Sequence, residues 1–123
     1  MAKKVLVVDD EPDIANLAKI RLTNEGFDVA TANSGKEALE KVAGDPPDVI
    51  VLDVMMPGMN GWEVASRLRG DPETKDIPIL MLTALGMAEE DKPGFANINE
   101  YYTKPLELAT LVKIVRKLAD KTG

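Results

Sequence analysis

The 123-residue chain contains neither cysteine nor histidine. Without cysteine there is no disulfide framework and no thiolate metal site. Without histidine the usual zinc and copper sites lose their ligands, and histidine-based catalytic triads are excluded. A basic stripe is missing as well: 15 Lys and Arg stand against 21 Asp and Glu, a formal charge of −6. Phosphate binding is driven mainly by Lys and Arg displacing counterions, so direct nucleic-acid binding is not expected. Long apolar runs are also lacking. The opening MAKKVLVVDD holds one short run that stops at two acids, which fits neither a signal peptide nor a membrane span. The expectation is a soluble cytoplasmic protein of one domain, residues 1–123, large enough to bury a core without staples.

What is present centres on Val49-Ile50-Val51-Leu52-Asp53. Four apolar residues without polar alternation read as a strand buried on both faces, as in a parallel sheet covered by helices. Asp53 then emerges at the strand's C-terminal end, the edge where open α/β sheets bind ligands. The plainer alternative for one such Asp is a cap or turn residue. Lys4 to Val8 is a second buried strand, ending in Asp9 and Asp10. From Pro12 a helix is expected, with Ile14, Leu17, Ala18 and Leu22 at helical spacing until Gly26. Phe27 to Thr31 alternates and suits an edge strand. Ser34-Gly35-Lys36-Glu37 is a capping box opening a helix with Ala38, Leu39 and Val42 inward. Asn60 and Glu63 make another plausible cap, for a helix facing inward through Val64, Ala65 and Leu68. Ile77 to Leu82 is a fourth strand ending in Thr83, with Pro78 tolerable near its start. Met87 to Lys92 could begin a fourth helix that Pro93-Gly94 would break or shorten. Ile98 to Thr103 is a short edge strand followed by Lys104-Pro105. The last helix carries Leu108, Leu111, Val112, Val115 and Leu118 on one face.

Five strands, each followed by a helix, predict a doubly wound (βα)5 flavodoxin-like α/β sandwich. Its parallel sheet would have order 2-1-3-4-5, with the two mixed strands outside. That topology brings Asp9, Asp10, Asp53, Thr83 and Lys104 to one sheet edge. Three carboxylates so close repel one another unless a cation is present, and Mg²⁺ is the obvious hard cation for an all-oxygen site, with calcium the alternative that prefers more ligands. Asp53 could then stay ionised and attack phosphorus, forming an acyl phosphate. Lys104 would offset phosphoryl charge and the Thr83 hydroxyl would donate to a phosphoryl oxygen.

These motifs together, Val8-Asp9-Asp10, Leu52-Asp53 with Met56-Pro57-Gly58 and Gly61, Leu82-Thr83-Ala84, and Tyr101 with Lys104-Pro105, resemble the receiver domain of two-component response regulators, chemotaxis-regulator-like, over essentially the whole chain. The resemblance implies that Asp53 is the phosphoacceptor from a histidine kinase or phosphotransfer protein. It implies that Asp10, Asp53 and the backbone carbonyl of Met55 hold Mg²⁺, with Asp9 acting through metal-bound water. Thr83 and Tyr101 resemble the family's switch pair, and Lys104-Pro105 a motif whose peptide is usually cis. Phosphorylation would alter the surface built by the fourth helix, the fifth strand and the last helix. That surface would meet a downstream effector protein or domain, or a second phosphorylated copy. Apart from assisting its own aspartyl phosphorylation and dephosphorylation, such a module is not an enzyme.

The chain departs from the family pattern at Lys92 to Asn99, where Pro93-Gly94 interrupts a usual helix and Asn97 stands where glycine is frequent. Asn remains the next best residue for a left-handed turn. Three alternatives remain open. The chain could be the receiver portion of a longer DNA-binding transcriptional regulator. A haloacid-dehalogenase-like phosphatase also attacks phosphate with a strand-end Asp, but calls for a second acid at position 55, where Met stands. A flavodoxin-like cofactor binder would need a glycine-rich phosphate loop after strand one, and there is none.

Overall fold

The structure, a computed structural model, describes residues 2–83, 99–103 and 106–120. The elements run β1 (Lys4–Val8), α1 (Pro12–Asn24), β2 (Asp28–Ala32), α2 (Gly35–Gly44), β3 (Val49–Asp53), α3 (Gly61–Arg69), β4 (Ile79–Thr83), β5 (Glu100–Thr103) and α4 (Leu108–Asp120). Here α4 is the helix expected last. The reading of a short or irregular helix after Thr83, and that of a cis bond at Lys104-Pro105, lie outside the described residues.

The five strands form one sheet in the order β2-β1-β3-β4-β5, and every pairing is parallel. Alternation along the three central strands explains the layers. Val5 and Val7, Val49 and Val51, and Leu80 point to one face, where Ala15, Ala18 and Leu22 of α1 and Leu111, Val115 and Leu118 of α4 cover them. Leu6 and Val8, Ile50 and Leu52, and Ile79 and Met81 point to the other, under Ala38 and Val42 of α2 and Val64, Ala65 and Leu68 of α3. Both faces are dry, which is why these strands read as unbroken apolar runs. Each fully buried Leu, Ile or Val is worth roughly 1.5–3 kcal/mol of transfer free energy, so the central strands anchor the sheet edge that follows them.

The caps fall where the sequence puts them. Ser34 Oγ accepts from the Glu37 amide at 3.1 Å, and Glu37 Oε1 accepts from the Asn33 amide at 2.7 Å. Asn60 Oδ1 accepts from the Glu63 amide at 3.0 Å. Past α1, Gly26 takes a φ of 99°, a left-handed conformation that costs glycine little. Pro78 sits just before β4, where its carbonyl accepts from the Ile50 amide at 3.0 Å and no donor is required of it.

The inward face of α1 differs from the expected one. Ala18 and Leu22 are buried as predicted, but Ile14 is 41% exposed and Leu17 57%, with Ala15 taking the core position instead. Apolar residues occupy two sides of this helix, and small Ala15 and Ala18 let it lie close on the sheet while the larger side chains face out. Elsewhere, Arg69 clamps the approach to β4. Its guanidinium donates to the carbonyls of Lys75 at 2.9 Å and Ile77 at 2.7 Å and to Asn99 Oδ1 at 3.2 Å, while Asn99 Oδ1 also accepts from the Ile79 amide. Burial lowers the Arg69 pKa from its ordinary value. Arg116 of α4 joins the end of α1 through Glu25 Oε1 at 2.8 Å, holding that carboxyl below its usual pKa.

Candidate functional site

The register of the sheet builds the site. Val8 pairs with Leu52 across β1 and β3, so the next residues, Asp9 and Asp53, leave the same edge side by side. Asp53 pairs in turn with Leu82, placing the backbone of Thr83 one step beyond on the adjacent strand. Thr83 pairs with Thr103 of β5, and Tyr101 lies opposite Met81. For Thr83 and Tyr101 only these backbone positions are described, and Lys104 and Pro105 lie outside the described residues.

Asp9, Asp10 and Asp53 converge: one carboxylate oxygen from each lies within 4.8 Å of the others. Asp9 is 3% exposed and Asp53 2%, whereas Asp10 is half-buried and reaches solvent. The two buried acids are aimed by the same local device. Asp9 Oδ1 accepts from the Glu11 amide at 3.0 Å and Asp53 Oδ1 from the Met55 amide at 3.3 Å, so each carboxylate folds back over the turn that follows its strand. The turn after β3 is closed by the Gly61 amide, which donates to the Val54 carbonyl at 2.9 Å.

At an effective dielectric of about 20, two like charges roughly 5 Å apart repel by about 3 kcal/mol, and this cluster holds three such pairs. A divalent cation with oxygen ligands reverses the sign of that balance. The donor set fits Mg²⁺, which takes one or two protein carboxylates and keeps water on its other positions. The half-exposure of Asp10 leaves a side from which such water can enter.

Of the residues beside the site, Met56 and Trp62 are buried and Met59 packs partly against the same core. Met55 does not share that packing. It is 59% exposed, because its neighbours Val54 and Met56 take the inward positions of the turn. Ile14, Leu17 and Ile20 are all exposed, and their spacing of three residues places them on one side of α1, a surface that the spacing signals and their apolar character disguises.

The family "Response regulator receiver domain" matches residues 5–116. This chain belongs to the response regulator receiver family. It is 39% identical over 120 residues to the DNA-binding dual master transcriptional regulator RpaA of Synechocystis sp., covering 97% of this chain and 50% of RpaA. It is 40% identical over 119 residues to the response regulator PleD of Caulobacter vibrioides, covering 96% of this chain and 26% of PleD. The receiver thus spans about half or less of the length of these curated relatives. Among solved structures, chemotaxis protein CheY4 of Vibrio cholerae superimposes with a TM-score of 0.88 at 33% identity, covering 96% of this chain and 99% of that one. Membership selects among the open readings: a receiver is a signalling module, and the phosphatase-like alternative lacks its acid at position 55. No helix among the described residues is long and apolar enough to cross a membrane.

Proposed function

We propose that this receiver, one unit over residues 1–123, accepts a phosphoryl group on Asp53 from a histidine kinase or phosphotransfer protein. The supporting observation is the convergence of Asp9, Asp10 and Asp53 within 4.8 Å, with Asp53 buried between β1 and β4. An oxygen of the Asp53 carboxylate attacks the donor's phosphorus. The P–N bond of the donor phosphohistidine breaks, its electron pair returns to the imidazole nitrogen, and an acyl phosphate forms on Asp53. Asp10, Asp53 and the Met55 carbonyl would hold Mg²⁺, with Asp9 acting through water. Bound there, Mg²⁺ supplies positive charge that offsets the phosphoryl oxygens. Lys104 adds a second positive charge, and the Thr83 hydroxyl donates to a phosphoryl oxygen. Tyr101 then follows Thr83 inward, altering the surface that an effector reads, built by the helix expected after Thr83, β5 and α4. Beyond assisting its own phosphorylation and dephosphorylation, the receiver turns over no substrate in this reading.

Loss of Asp10 tests the metal assignment. Asp10→Ala removes one of few protein ligands, so Mg²⁺ affinity measured by calorimetry or Trp62 fluorescence is expected to fall by about two orders of magnitude. Unchanged affinity would remove Asp10 from the ligand set. Because α1 begins just after the two acids, we further propose that its exposed Ile14, Leu17 and Ile20 receive the phosphodonor protein. Leu17→Glu places a charge at the middle of that apolar stripe. It is expected to slow transfer from the cognate kinase at least about tenfold while leaving labelling by acetyl phosphate unchanged. Equal slowing with both donors would place the defect in the site and not in docking.

The match to RpaA, twice the length of this chain and described as DNA-binding, supports a second reading, in which the receiver controls a DNA-binding domain in one longer polypeptide. Sequencing the gene's full reading frame decides it: a downstream DNA-binding domain supports this reading, and a stop codon after Gly123 removes it.

A further inference from the structure

We propose that Asn33, in the turn between β2 and α2, is a positioning residue that sets the geometry of the Asp9-Asp10 pair. The inference rests on the acid cluster being the Mg²⁺ site. Asp9 leaves β1 with its backbone amide bonded to the Ala32 carbonyl at 3.0 Å, the last rung between the two strands. Its carbonyl carries the next contact. Asn33 Nδ2 donates to the Asp9 carbonyl oxygen at 3.0 Å, across 24 residues of chain. That carbonyl belongs to the peptide plane joining Asp9 to Asp10, so the bond fixes the plane on which Asp10 is carried. Asp9 itself is held by burial and by the Glu11 amide on its Oδ1. Asp10 has no comparable burial, and its direction depends more on the peptide before it.

Asn33 is in turn held in place. Its backbone amide donates to Glu37 Oε1 at 2.7 Å, the Glu37 backbone amide donates to Ser34 Oγ, and Gly35 packs so closely on the turn after β3 that an added Cβ would lie 3.0 Å from both Cβ and the carbonyl oxygen of Met59. The first turn of α2 is therefore braced from two sides, and the Asn33 side chain extends from this rigid base. Asn33 is itself exposed, where an amide finds water without difficulty. Its commitment to the Asp9 carbonyl is thus a choice of geometry and not a rescue of a buried amide.

The chemistry follows from support of a ligand by an outer contact. A hydrogen bond to the chain that carries a metal ligand lowers the cost of holding that ligand in its binding orientation. Asn33→Ala removes the donor and leaves all three carboxylates in place. Mg²⁺ affinity, read by calorimetry on the whole chain, is expected to weaken by about tenfold, the lower end of what loss of such a contact costs. In the metal-free protein the amide resonances of Asp10 and Glu11 should also shift in ¹H–¹⁵N spectra.

Thr74→Val is the control. Thr74 Oγ1 donates to the Leu68 carbonyl at 2.6 Å, a buried bond beyond the other end of α3. Its removal should lower stability in denaturant and leave Mg²⁺ affinity at the wild-type value. The proposal is overturned if Asn33→Ala binds Mg²⁺ as the wild type does, or if Thr74→Val weakens binding equally, since general loss of stability would then be the cause. A wild-type protein that binds no Mg²⁺ overturns the proposed function and this role with it. Wild-type binding together with undiminished binding by Asn33→Ala overturns the role of Asn33 alone.

Discussion

Asp53→Asn is expected to gain no phosphoryl mass when incubated with acetyl phosphate and Mg²⁺ under conditions that label the wild type fully. The amide oxygen that replaces the carboxylate is a poor nucleophile, and no other acid sits at the end of β3. Asp9 and Asp10 remain close by, yet they leave β1 and not the strand between β1 and β4. The same substitution removes one of three clustered negative charges. Two repulsive pairs of about 3 kcal/mol each disappear at an effective dielectric of about 20, an upper bound that relaxation and screening reduce. The metal-free variant is therefore expected to melt several degrees above the metal-free wild type, and added Mg²⁺ should narrow the gap. Undiminished phosphoryl gain by intact-mass analysis would place the nucleophile elsewhere. A lower metal-free Tm would contradict the repulsion.

Gly61→Ala is expected to be the most damaging small substitution near the site. An added Cβ at Gly61 would lie 2.4 Å from the Asp53 carbonyl oxygen, 2.8 Å from the Val54 Cα and 3.0 Å from the Asp53 carbonyl carbon. All three are backbone atoms, so no side-chain rotation relieves the overlap. The requirement is for space, since Gly61 is not among the glycines with positive φ. Forcing even one methyl into a packed position costs about 1–3 kcal/mol, and a contact on backbone belongs at or above the upper end. Relief needs the start of α3 and the end of β3 to move apart, and the Gly61 amide is bonded to the Val54 carbonyl, so the strain is shared with the Asp53 peptide that carries the carboxylate. Urea unfolding should show a loss of about 3 kcal/mol or more, with phosphoryl uptake slowed in the fraction that remains folded. Gly44→Ala is the internal comparison. Nothing lies within 4 Å of its added Cβ and its φ is not positive, so stability should stay level or rise by about 0.4–1 kcal/mol. Because Ala favours a helix more than Gly does, similar losses at both positions would argue that something other than close approach on the Asp53 peptide governs Gly61.

Much of this architecture was legible because period-two alternation was hidden inside the apolar runs. Val5-Leu6-Val7-Val8 has no polar residue to mark its faces, yet the absence itself says that both faces are covered. The convergence of Asp9, Asp10 and Asp53 followed from the same reasoning, since neighbouring parallel strands end at one edge. Helix α1 was less legible. Ile14 and Leu17 counted as core because they are apolar, whereas small Ala15 and Ala18 took the sheet side. Helical spacing admits both faces, and only packing against β1 and β2 chooses between them. Asn33 was not legible at all. Its partner is a backbone carbonyl 24 residues away, and no sequence pattern encodes that distance in space.

The most direct test of the account is to locate the phosphoryl group chemically. The wild-type chain is treated with acetyl phosphate with and without Mg²⁺, reduced with borohydride to convert the acyl phosphate to an alcohol, and mapped by peptide mass spectrometry. The account predicts reduction of the carboxylate at Asp53 alone, and only when Mg²⁺ is present. Reduction at Asp9 or Asp10, or equal reduction at Asp53 without Mg²⁺, would contradict it.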